Sequence, residues 1–204
     1  MLEKIMSNFQ SPKNNLIGRL LLRSMNLGHR QISRWTLKQL PREASFANII
    51  DIGCGGGWTI SRLLKHWSSA NVVGIDVSEA SVAKSLDYNA KAVAAGRCSV
   101  VLGNVASMPF PDGHFEAATA IETVYFWDPL DDSLREVHRC LKDGGWFVIG
   151  LEAGKKSQAE FWSRHVGGMH PYDAEYLKTQ LLAVGFRDVE VDQGIMYARI
   201  VARK

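Results

Sequence analysis

The chain has 204 residues and a net charge of +3, with 46% hydrophobic and 22% charged residues, a balance that suits one globular domain and excludes a disordered or fibrous chain. It holds no run of about 18 apolar residues, and Met1-Leu-Glu-Lys-Ile-Met-Ser lacks the charged-then-apolar order of a signal peptide, so a cytoplasmic protein without a membrane span is expected. Cys54, Cys98 and Cys140 are odd in number and form no CxxC pair, which fits a reducing compartment and argues against zinc or dithiol chemistry.

Residues 1–45 read as a helical appendage ahead of a domain over 46–204. Leu16, Ile17, Leu20, Leu21 and Met25 recur at three- and four-residue spacing, which predicts an amphipathic helix over 14–25. A second helix is expected over 31–40, with Gly28 turning the chain between the two and Pro41 closing the appendage. The appendage carries Lys4, Lys13, Arg19, Arg23, Arg30, Arg34, Lys38 and Arg42 against Glu3 and Glu43. Such a bias either attracts an acidic substrate, RNA or a membrane surface, or simply solvates a helix face.

From residue 47 short apolar runs alternate with helical stretches. Strands are predicted over 47–52, 71–76, 98–102, 115–121 and 146–151, and helices over 57–67, 79–95, 131–142 and 173–184. Parallel strands need long crossovers and become buried on both sides, so the alternation predicts a doubly wound α/β fold with a mostly parallel sheet. Two last strand-like runs, 186–191 and 195–201, are separated only by Asp192-Gln-Gly194, a connection short enough to require an antiparallel C-terminal hairpin.

The glycine-rich run Asp51-Ile-Gly-Cys-Gly-Gly-Gly57 falls at the turn from the first strand to the first helix of this domain, the edge where open α/β sheets bind ligands. A dinucleotide fingerprint GxGxxG would need glycine at 58 or 60, where Trp58 and Ile60 stand, and no GK[ST] follows to make a phosphate-binding loop. An NAD-dependent oxidoreductase is therefore disfavoured. Asp-x-Gly-x-Gly-x-Gly remains, with an acidic residue where a phosphate cradle would exclude one.

This run resembles motif I of the class I S-adenosylmethionine-dependent methyltransferases, of the small, single-domain, methyltransferase type 11-like kind. Gly74-Ile-Asp76-Val-Ser ends the second strand with an acidic side chain, which suits two ribose hydroxyls. Gly103-Asn104-Val-Ala-Ser-Met-Pro-Phe-Pro-Asp-Gly-His-Phe115-Glu is similar to that family's Gly-Asp-Ala-x-x-Leu-Pro-Phe-x-Asp-x-x-Phe-Asp, with Asn104 in place of the Asp that faces adenine. Leu141-Lys-Asp-Gly-Gly-Trp resembles its Leu-Lys-Pro-Gly-Gly turn before the fifth strand. The resemblance spans 47–151 and implies a seven-stranded Rossmann-like fold with an N-terminal helical lid. It also implies S-adenosyl-L-methionine as cofactor, held by Asp51, Gly53, Gly55, Gly57, Asp76, Val77, Asn104, Val105 and Glu122, with no metal.

Methyl transfer from a sulfonium needs positioning above all, and a base only when the acceptor must lose a proton. His29, at the bend of the implied lid, and His170, in the stretch after the fifth strand, are candidate bases, because imidazole titrates nearest neutral pH; His165 is a third. Tyr125, with Phe126 and Trp127, follows Glu122 and could wall an acceptor pocket. The chain lacks the (Asn/Asp/Ser)-Pro-Pro-(Tyr/Phe) element of enzymes acting on base nitrogens or glutamine amides. A small-molecule acceptor is expected, with nucleic acid disfavoured and a monomer or homodimer as the assembly. RNA or protein methylation, or cofactor binding without catalysis, stand as alternatives.

Overall fold

Side chains that alternate between two apolar layers explain the sheet. Along Asn48–Ile52 (β1), Ile49 packs into one apolar layer with Ile60, Leu63 and Val72, whereas Ile50 and Ile52 enter another with Leu134, Phe147 and Leu177. Ala117 and Ala118 of Phe115–Ile121 (β4) divide the same way, as do Val148 and Phe147 of Leu141–Leu151 (β5). Strands that are apolar on both sides need cover on both faces, which crossover helices supply.

The computed structural model describes residues 29–194 and 197–204. Among these, β1, β4 and β5 join Asn71–Asp76 (β2), Cys98–Leu102 (β3), Arg187–Gln193 (β6) and Ala198–Arg203 (β7) in one sheet of seven strands, ordered β3-β2-β1-β4-β5-β7-β6. The first five strands run parallel, and β7 pairs antiparallel with both β5 and β6. This is the doubly wound sheet with an antiparallel end that the alternation predicts. Strand order reverses beside β1, so the chain leaves β1 and β4 in opposite directions and opens a crevice at their carboxyl ends.

The described helices are Arg30–Leu37 (α1), Trp58–His66 (α2), Glu79–Tyr88 (α3), Ala90–Ala94 (α4), Leu130–Cys140 (α5), Lys156–His165 (α6) and Ala174–Ala183 (α7). Four details depart from expectation. The helix expected over 79–95 breaks at Asn89, whose side-chain amide donates to the carbonyls of Gly57 and Ser85 at 3.0 Å each. The fifth strand begins at Leu141 instead of 146, because Leu141 already pairs with Phe115 and the Gly144 amide donates to the Lys204 carbonyl at 2.9 Å. α6 fills a stretch with no predicted element, burying only Ala159. The last strand starts at Ala198. The predicted helix over 14–25 and the turn at Gly28 lie outside the described residues, as do Ile195 and Met196.

α1 is anchored to the antiparallel end of the sheet. Arg199 of β7 lies 4.1 Å from the centre of the Trp35 ring and donates to the Trp35 carbonyl at 2.8 Å. A Cβ at Gly150 of β5 would stand 2.6 Å from Thr36 Oγ1, so glycine lets the helix approach the strand closely. This docking carries His29 to the crevice.

Candidate active site

The crevice holds a cavity of about 370 Å³, lined by the turn after β1, the ends of β2, β3 and β4, and His29 and Ser33 from the start of α1. The volume lies within the range of small-molecule sites. The turn is held from below: Gly53 and Cys54 both donate to the Ile75 carbonyl, at 2.8 and 3.2 Å. Its glycines have different duties. Gly53, at φ 69, has no room for a Cβ, which would fall 2.1 Å from Thr123 Oγ1, whereas at Gly55 a Cβ would meet nothing within 4 Å among the described residues. Gly53 thus serves packing, and Gly55 leaves an open surface for a ligand to approach.

Two carboxylates bound the turn. Asp51, 2% exposed, accepts from Thr119 Oγ1 at 2.6 Å through Oδ1, while its Oδ2 is buried without a partner among the described residues. Burial, opposed by the Thr119 hydrogen bond and reinforced by the charge of Asp76, pushes the Asp51 carboxyl up to about 7. A buried acceptor left unpaired is costly unless a cation or donor arrives. Asp76 accepts from the amides of Gly55 and Ser78 at 2.9 Å each. Burial raises its pKa and those hydrogen bonds oppose the rise. The residue expected to receive a ribose therefore also braces the glycine turn.

Along the β3 end, Asn104 lines the cavity, and its Oδ1 accepts from the Ala106 amide at 2.9 Å, capping the 3-10 turn Val105–Ser107. With the oxygen engaged in the cap, the NH₂ of Asn104 is the group with donors to spare. Val77 is 51% exposed and lines the same cavity, as does buried Val105.

His29 and Glu122 of the cavity wall come together with Glu152, a residue distant from His29 in sequence. Ligating atoms of His29, Glu122 and Glu152 lie within 4.8 Å of one another, a donor set able to hold a cation or share protons with a bound molecule. Glu122 sits at φ 59, an uncommon conformation for a residue with a Cβ. Its Oε1 accepts from the Glu152 amide and from the Tyr125 hydroxyl, the latter at 3.3 Å. Burial, with the neighbouring charge of Glu152, holds the Glu122 carboxyl well above the usual carboxylate range. Burial alone lowers the pKa of His29, favouring neutral imidazole.

The other expected residues separate. Tyr125 is 2% exposed and stands behind Glu122, its hydroxyl accepting from the Ala153 amide at 2.9 Å. Burial raises its pKa, and it is absent from the cavity wall, which Phe126 and Trp127 do line. His170 is also absent from that wall. It stacks on Tyr172 at 5.0 Å and stands 3.9 Å from Asp128, a residue that lines the cavity. His165 faces outward, with Nδ1 2.7 Å from the Phe161 carbonyl of its own helix. Sequence reasoning missed Glu152 and Thr119, and used Trp58 only to exclude a dinucleotide although its ring lines the cavity. Glu152 follows the last residue of β5, so the rule that placed Asp51, Asp76 and Glu122 at strand ends could have found it.

Residues 50–149 match the family model described as "Methyltransferase domain". Over 100 residues the chain is 42% identical to "24-methylenesterol C-methyltransferase 2" of Oryza sativa subsp. japonica, covering 49% of this chain and 27% of that protein. The chain thus spans about a quarter of the length of that relative. It is 22% identical to "Uncharacterized methyltransferase YdaC" of Bacillus subtilis, covering 78% of this chain and 82% of the relative. The fold matches that of an S-adenosylmethionine-dependent methyltransferase from Aquifex aeolicus with a TM-score of 0.73 at 18% identity, over 91% of this chain and 97% of that one. Strand order, a glycine turn that is neither a dinucleotide nor a phosphate loop, and these likenesses converge: residues 50–149 form a methyltransferase domain, on a fold shared with S-adenosylmethionine-dependent methyltransferases.

Proposed function

We propose that this protein transfers the methyl group of S-adenosyl-L-methionine to a small-molecule acceptor held at the His29–Glu122–Glu152 end of the cavity. The observation that carries the cofactor assignment is the orphaned, buried Oδ2 of Asp51 beside the open face of Gly55. An acceptor oxygen without a partner suits an ammonium group, and the bare backbone at Gly55 suits close contact with a ligand. In this reading Asp51 and the turn hold the amino-acid end, Asp76 the ribose, and Asn104, Val77 and Val105 the adenine edge. Bound S-adenosylmethionine supplies an electrophilic methyl group on sulfur, so the protein's own work is orientation and exclusion of water. Orientation of this kind lowers a barrier by roughly 7–11 kcal/mol.

At the other end His29 is the proposed base, kept neutral by burial and adjoining the Glu122–Glu152 pair. Tyr125 acts through Glu122 as a positioning residue, and His170 takes part only through Asp128. The sterol methyltransferase among the relatives supports a small-molecule acceptor. The test is calorimetric titration with S-adenosylmethionine, S-adenosylhomocysteine and NAD, followed by an acceptor screen read by S-adenosylhomocysteine release. The first two are expected to bind and NAD to fail. With a turned-over acceptor, the rate should rise with pH through a pKa below the ordinary imidazole value of 6.5, and His29→Ala should erase that inflection. Failure of both adenosyl ligands to bind sinks the cofactor assignment, and an unchanged pH profile in His29→Ala removes the base.

A further inference from the structure

A second cavity, of about 290 Å³, opens between the end of α1 and α2, on the other side of Trp58. Its wall is cationic. Arg34, Lys38 and Arg42 come from α1 and the turn after it, and Arg62, Lys65 and His66 from α2. Leu37 and Trp67 also line it, and among the described residues no carboxylate does.

Clusters of this kind normally carry acidic partners, because like charges gathered around a small volume repel. Here the partners are missing: among the described residues, none of the five Arg and Lys side chains forms an ion pair. Arg34 and Arg62 instead lie over the Trp58 ring, at 5.7 and 5.6 Å from its centre. Trp67 in the same wall is 4% exposed, and its indole Nε1 is buried without a hydrogen-bond partner among the described residues. Burial, with the charges of Arg42, Arg62 and Lys65, lowers the pKa of His66.

We infer that this cavity binds the phosphate groups of a small polyanion, of about the size and charge of a diphosphate. A single carboxylate balances one positive charge and would leave most of the wall uncompensated. Adjoining phosphates carry several negative charges in a small volume, and guanidinium groups match phosphate oxygens in paired hydrogen bonds. The walls are shared: α1 begins at the methyl-transfer cavity and ends at the cationic one, and the Trp58 ring that lines the first is covered by two arginines of the second. Three cations of the N-terminal segment, Arg34, Lys38 and Arg42, thus meet Arg62 and Lys65 of α2 at one site.

The experiment is calorimetric titration of the full chain with inorganic pyrophosphate at constant ionic strength, with sodium chloride replacing pyrophosphate as control. A triple variant, Lys38→Glu with Arg42→Glu and Lys65→Glu, alters three exposed side chains outside the methyl-transfer cavity. It should retain S-adenosylmethionine binding, which reports that the fold is intact. Saturable binding with one site per chain, weakened about tenfold or more in the triple variant, is expected. Arg62→Ala, which removes one guanidinium without reversing charge, should weaken it as well. Absent binding, equal binding by wild type and triple variant, or displacement by chloride at matched ionic strength each overturns the inference. An RNA oligonucleotide that binds far more tightly than pyrophosphate, and loses affinity in the same variant, also overturns it by making the wall part of a nucleic-acid surface.

Discussion

At Asp51 folding and binding pull in opposite directions. Its carboxyl rises from an ordinary value of 3.8 to about 7 in the folded protein. Between those values the folded chain holds a proton that the unfolded chain has released. The stability contributed by this group is thus complete below 3.8 and is lost as pH rises through about 7. A bound ammonium group favours the ionised form, so affinity for S-adenosylmethionine should climb with pH, by up to about tenfold per pH unit below the folded pKa. Asp51→Asn keeps an acceptor for Thr119 and removes the charge. Without ligand, the variant should melt at a higher temperature than the wild type at about pH 8 and show little difference at about pH 4. It should also bind the cofactor weakly and with a flattened pH dependence. Thermal unfolding at both pH values, with calorimetry across the range, checks both parts; a variant that keeps the wild-type pH slope would assign the proton to another group.

Among the elements, the break between α3 and α4 shows what periodicity reads and what it passes over. Apolar and small residues over 79–95 predict one helix, and the prediction is correct for the two segments on either side of Asn89. The break is a tertiary effect. Asn89 gives its amide to the carbonyl of Gly57, at the glycine turn, as well as to Ser85 one turn back. Asparagine competes with the helix backbone in this way when a partner is present, and the partner lies in a different element. The same limit explains the early start of β5, which depends on pairing with β4 and with the chain's last residue. Asn89→Ala would remove one hydrogen bond to the Gly57 carbonyl, which keeps the Ser61 amide at 3.2 Å, at a cost of about 0.5–1.5 kcal/mol. A lower midpoint in denaturant unfolding is expected, together with weaker S-adenosylmethionine binding by calorimetry, since Gly57 belongs to the turn. Lost stability with unchanged affinity would show that Asn89 supports the helix junction and not the turn.

For the whole molecule, the strand-end residues proposed for the cofactor follow from the fold, whereas the meeting of His29 with the two glutamates does not, for one physical reason. Asp51, Asp76, Asn104 and the glycines sit at strand ends, so once the strands are recognised the fold gathers them without further information. Glu122 and Glu152 meet at the adjoining ends of β4 and β5, but His29 joins them only because α1 docks on the antiparallel end of the sheet, through contacts of Trp35 with Arg199 and of Thr36 with Gly150. Neither contact has a local signature in sequence. Arg199 contributes a cation–π contact and a hydrogen bond to a carbonyl, together worth about 2 kcal/mol, and it also pairs with Asp192 at 2.5 Å. Arg199→Ala should therefore loosen α1 more than the sheet. Amide hydrogen exchange is expected to accelerate over 30–37 while β1 and β4 keep their protection. S-adenosylmethionine affinity should change little, because the contacts proposed for it come from the sheet edge. Turnover should fall through KM for the acceptor, since the helix carrying His29 no longer closes that end. Arg199→Lys, which retains charge without the planar fork, should lie between the two. Exchange that quickens equally across the sheet would mean that Arg199 holds β7 in place, and that the docking of α1 rests on other contacts.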